Sequence, residues 1–124
     1  EAALTDVANV ERWAHPGTVV LLHDCHPTDE AMAARERTTV AWAGDVWKVV
    51  AALRADLPYL TVTTVDVVPT GLGVITGFGL GFADLDATIR RHRDLPWSTL
   101  ADDPDGLLHL VPPTWAAVRD LLPG

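Results

Sequence analysis

The stretch Val19-Val20-Leu21-Leu22-His23-Asp24-Cys25-His26-Pro27 runs from an apolar, β-branched segment straight into two imidazoles and a carboxylate. Histidine titrates near neutral pH, so His23 or His26 could take a proton from a substrate hydroxyl or amine as a general base. Asp24 could orient a neighbouring imidazole. His23, Asp24 and His26 together could instead bind zinc or another transition metal, as in a small metal-dependent hydrolase. Side chains alternate along an extended chain, however, so His23 and Asp24 project to opposite faces unless the backbone bends after Leu22. A plainer use is also open: His23 bonded to the sheet end, Asp24 capping a turn or helix, and His26 in solvent. Cys25 has no thiolate-stabilising partner beyond the flanking acid and imidazoles and makes a poor nucleophile.

A second candidate group is Gly44-Asp45-Val46-Trp47-Lys48. Asp45, Trp47 and Lys48 could touch a substrate, or could serve as helix cap, core residue and solvated face. The other tryptophans, Trp13, Trp42, Trp97 and Trp115, are too scattered for a carbohydrate platform and read as core or interface anchors. Arg90, Arg91, His92 and Arg93 form the one positive run. At a helix end the dipole favours such charges, and contact with an anionic ligand is the alternative.

These groups need elements to hold them. The 124 residues, 48% of them hydrophobic, suit one domain with a core of its own. The net charge of −8, from 17 acidic and 9 basic residues, repels nucleic acid and anionic membranes, which leaves small molecules and proteins as partners. One cysteine cannot form an internal disulfide, as expected in the cytoplasm. No apolar stretch approaches the roughly 20 residues of a membrane span. The chain opens at Glu1 in helix-like sequence, as expected of a fragment, a processed product or a trimmed polypeptide.

Apolar spacing predicts a helix over Ala2 to Trp13, stopped at His15-Pro16-Gly17. Thr18 to Leu22 lacks polar alternation and predicts a strand covered on both faces. Helices are expected from Pro27 to about Arg37 and from an Asp45 cap to the breaker Pro58. Tyr59 to Val68 and Leu72 to Phe78 meet at Pro69-Thr70-Gly71 as a hairpin, ended by Gly77, Gly79 and Gly81. Asp84 to Arg93 and a segment from Pro112-Pro113 to Leu122 complete the helices. Three strands at most leave one edge of the Thr18 to Leu22 strand open, an edge that proteins normally pair or cover.

In this order the chain resembles the carboxyl-terminal half of a class I S-adenosylmethionine-dependent methyltransferase domain. Three stretches carry the likeness: Gly17 to Asp24 as the fifth strand, Gly44 to Lys48 opening the next helix, and Leu60 to Gly77 as the closing antiparallel pair. The resemblance implies an α/β, partial Rossmann-like sheet of one parallel-type strand plus the hairpin, flanked by helices, with Leu72 to Thr76 inserted between Thr18 to Leu22 and Thr61 to Val67. It implies methyl transfer to an oxygen or nitrogen of a small acceptor, served by His23, Asp24 and His26. In metal-dependent members Asp24 would give one oxygen to magnesium. The glycine-rich turn and acidic strand end that hold S-adenosylmethionine in that family are absent from this sequence, so the donor is expected mainly on an amino-terminal half, or a second copy, with which this chain pairs. A noncatalytic interaction module is the competing expectation, with the metal-dependent hydrolase third.

Overall fold

The computed structural model describes residues 1–82 and 84–124. Helix α1, Ala2–Glu11, buries Leu4 and Val7 but ends before Trp13, whose ring is exposed. Strand β1, Val20–His23, follows. Helix α2, Trp47–Asp56, is the centre of the core: Val50, Ala52 and Leu53 are sealed from solvent and Trp47 nearly so. Its carboxyl end falls at Leu57, immediately before Pro58, as the missing N–H of proline requires.

Strands β2, Thr61–Val65, and β3, Leu72–Thr76, form the expected hairpin, and β3 lies between β1 and β2. Both neighbours of β3 run antiparallel to it, with Val20 opposite Ile75 and Val62 opposite the same residue. β1 and β2 therefore point the same way and end at the same edge of the sheet. Beyond Gly77, helix α3, Leu85–His92, is capped by the Asp84 carboxylate, which accepts from the Ala87 N–H. The short helices α4, Trp97–Asp102, and α5, Pro104–Leu108, lead to strand β4, Leu110–Val111. Helix α6, Trp115–Leu121, closes the chain. Leu100, Leu108, Ile75, Val62 and Phe78 join α1 and α2 in one apolar cluster.

Five expectations need correction. The sheet has four strands, because Leu110–Val111 pairs parallel with β2 and extends the sheet on the side away from β1. Among the described residues the one parallel pair is thus β2 with β4, and β1 pairs only antiparallel. Second, β1 is covered on one face: Val20 and Leu22 pack on the core, while Leu21 is 61% exposed. It is an edge strand, with no second neighbour among the described residues.

Third, Pro27 to Arg37 is not a helix. Asp29 does start a turn, its carboxylate accepting from the Met32 N–H at 2.8 Å. The turn does not propagate because the Met32 carbonyl, which a helix would offer to residue 36, accepts instead from Ala43 and Gly44 at 2.9 and 3.0 Å. Fourth, Asp45 does not cap α2: its N-cap is Val46, without a side-chain bond. The last helix also starts later than Pro112-Pro113, at the Thr114 cap.

Candidate functional site at the strand ends

The row His23, Leu72, Val65, Val111 crosses the sheet at the carboxyl ends of β1 and β2. His23 lies in this row, and Asp24, His26 and Asp66 follow it in the chain just beyond the strand ends. The bend that would gather His23 and Asp24 is present: Asp24 takes φ of 64°, in the left-handed region that aspartate tolerates better than most residues. The turn brings His23 Nδ1 to 2.8 Å from Asp24 Oδ1. The same carboxylate oxygen accepts from the buried Thr70 hydroxyl at 2.6 Å, tying the end of β1 to the start of β3.

His26 is held from another side. Its backbone N–H donates to the Thr70 carbonyl at 2.6 Å, and Pro27 restricts it to extended backbone angles. Gly71 makes this approach feasible. At φ of 74°, a Cβ on Gly71 would sit 2.7 Å from His26 Cβ and 3.1 Å from its backbone nitrogen. The imidazole turns its Nδ1 to Asp66 Oδ1 at 3.1 Å, and its side chain is only 17% exposed. Asp66 follows β2 directly, and its own backbone N–H donates to Val111 of β4 at 2.9 Å.

Two imidazole–carboxylate pairs therefore stand at one sheet edge: His23 with Asp24, and His26 with Asp66. His23 is 73% exposed on an edge strand, whereas His26 is fixed between two elements. Sequence reasoning missed Asp66 and Thr70. No local signal marked Asp66, because Val67 and Val68 continue the β-branched run past it.

Cys25, between the histidines, is fully buried; its Sγ donates to the Leu22 carbonyl at 3.1 Å and would lie 2.8 Å from a Cβ at Gly73. Burial above all, reinforced by the Asp24 charge and partly offset by the Gly73 backbone, pushes its thiol up to about 12. It is a packing residue, not a nucleophile at neutral pH.

Among the described residues no three His, Cys, Asp or Glu side chains form a group able to hold a metal ion. Asp24 Oδ1 already serves His23 and Thr70, so the donor set does not fit magnesium or zinc. S-adenosylmethionine does not fit these residues either. Gly71 occupies the β2–β3 connection, and Gly77, Gly79 and Gly81 follow an antiparallel strand without opening a helix, so no phosphate- or nucleoside-type cradle is formed among the described residues.

Asp45, Trp47 and Lys48 lie elsewhere. Asp45 Oδ2 stands 2.7 Å from Arg35 Nε and 3.6 Å from Lys48 Nζ. Partial burial raises the Asp45 carboxyl, but the Arg35 hydrogen bond and the Lys48 charge outweigh it and hold the group below the usual carboxylate range. Lys48 also donates to the Arg93 carbonyl at 2.9 Å, as does Arg35. Asp45 and Lys48 line a cavity of about 420 Å³ between α1, α2 and α3, whose walls include neither His23 nor His26. Trp47 is 1% exposed and packs in the core. Of the positive run, Arg91 pairs with Asp56 at 2.5 Å, while His92 bonds the Thr88 carbonyl at 2.9 Å.

No helix among the described residues is long and apolar enough to cross a membrane. Comparison with protein-family models, curated proteins and solved structures gives no match for this chain.

Proposed function

We propose that this chain is the carboxyl-terminal portion of a methyltransferase-like domain, and that in the complete protein it supplies the acceptor side of methyl transfer to an oxygen or nitrogen. The observation that carries this reading is the placement of β3 between β1 and β2 with both imidazole–carboxylate pairs at the strand ends. In open α/β sheets ligands gather beyond the carboxyl ends of strands, especially where strand order reverses. The free edge of β1, with Leu21 exposed on it, supports a neighbouring strand from an amino-terminal half or a second copy.

The donor, held on elements outside these residues, would supply an electrophilic methyl group. The part of this chain would be to accept the acceptor's proton on an imidazole nitrogen whose ring partner is already fixed by a carboxylate. A polypeptide encoded by the complete reading frame, incubated with methyl-labelled S-adenosylmethionine and a panel of hydroxyl and amine acceptors, should transfer label. Failure across oxygen and nitrogen acceptors would sink the reading.

The exposed Leu21, Trp13 and Trp115 favour one second reading, a noncatalytic interaction module that docks through the β1 edge. Light scattering separates them: a strictly monomeric chain that binds no partner tells against docking.

A further inference from the structure

Resting on the methyl-transfer reading, we infer that His26 rather than His23 is the proton acceptor, and that Asp66 is its positioning residue, holding the ring in the tautomer that leaves Nε2 unprotonated. The two imidazoles differ in what fixes them. His23 projects from an edge strand, 73% exposed, and its carboxylate partner is its own chain neighbour and already accepts from Thr70. His26 is constrained at every level: Pro27 after it, the Thr70 carbonyl on its N–H, the bare Gly71 against its Cβ, and Asp66 on Nδ1.

Asp66 comes from just past the end of β2, forty residues away in sequence, and its backbone is pinned by β4. That arrangement is costly to produce by local chance. A carboxylate accepts and cannot donate, so a neutral His26 ring facing Asp66 must carry its proton on Nδ1. A free histidine side chain prefers the proton on Nε2, so the pair reverses the intrinsic preference. Nε2 then carries the lone pair, as a base requires. The proton would pass from the acceptor's O–H or N–H to Nε2 as the acceptor's electron pair takes the methyl carbon and the donor's carbon–sulfur bond breaks, its electron pair leaving on sulfur as a neutral thioether; the ring would become an imidazolium balanced by the Asp66 carboxylate.

The ring nitrogens of His26 in this chain report the pair without any turnover. Nitrogen-15 spectra at alkaline pH should show His26 with Nδ1 protonated and Nε2 bare. In Asp66→Asn the amide can rotate to donate, and the population should move toward Nε2–H. Asp66 is 56% exposed, so this variant keeps the fold. A His26 that carries its proton on Nε2 in the unmodified chain, or a tautomer ratio unchanged by Asp66→Asn, overturns the inference. In the complete protein, Asp66→Asn and His26→Ala should lower kcat by about 10²- to 10⁴-fold, and His23→Ala by less than about 10-fold. A His23→Ala loss as large as that of His26→Ala also overturns it. Intact His26 signatures with no methyl transfer by the complete protein tell against the methyl-transfer reading instead.

Discussion

Replacing Gly71 by alanine tests how the site is held together, with Gly81→Ala as the matched control. Both glycines have positive φ, 74° and 85°, so each alanine takes the left-handed penalty of about 1–2 kcal/mol. They differ in what the new methyl meets. At Gly81 there is nothing within 4 Å, whereas at Gly71 the methyl lands 2.7 Å from His26 Cβ, 3.1 Å from its backbone nitrogen and 3.3 Å from Thr64 Cγ2. Neither backbone nor Cβ can swing aside as a side-chain tip would, so overpacking adds about 1–3 kcal/mol at Gly71 alone. The expected losses are then about 2–5 kcal/mol against about 1–2, out of a typical total of roughly 5–15. Urea unfolding followed by circular dichroism reads the difference directly. With a slope of about 1–3 kcal/mol per molar, the Gly71→Ala midpoint should fall below that of Gly81→Ala by about 1 M. Coincident midpoints would refute the claim that His26 is packed against the turn.

Leu53→Ala removes a side chain with no exposure from the middle of α2 and should cost about 2–5 kcal/mol, while Trp115→Ala, at a ring 71% exposed, should stay within about 0.5 kcal/mol; paired denaturation curves check both. Cys25 should resist thiol reagents at neutral pH until the protein opens, so its labelling rate should follow unfolding rather than reagent concentration. At Asp56, burial raises the carboxyl, but hydrogen bonds from Arg91 and Thr88 and the nearby His92 and Arg91 charges outweigh it and leave the group below its ordinary value. Its contribution is therefore fully present above the unfolded carboxylate range and lost as pH falls through the lower folded value. Asp56→Asn should flatten the loss of stability below about pH 4, as measured by thermal melts across pH.

Much of the architecture was legible in the residues. The β-branched runs around Pro69-Thr70-Gly71 specify a hairpin, and Asp84 specifies a cap, because turn chemistry and side-chain capping are local. Leu110–Val111 was not legible as a strand, since two residues carry no period; only pairing with Thr64 and Val65 makes them one. The Pro27 to Arg37 segment carries good helix-start signals, and a tertiary use of the Met32 carbonyl by Ala43 and Gly44 overrides them. At the site, His23, Asp24 and His26 stood out because they end an apolar run. Asp66 and Thr70 did not, because a carboxylate forty residues from His26 becomes its partner only after β3 is laid between the two strands.

The proposal that this chain is the acceptor half of a donor-binding enzyme is tested most directly by calorimetric titration with S-adenosylmethionine, run on this chain and on the product of the complete reading frame. The account predicts no heat of binding for the 124 residues and saturable one-site binding for the complete product. Saturable binding by the 124 residues alone, or none by the complete product, would contradict it.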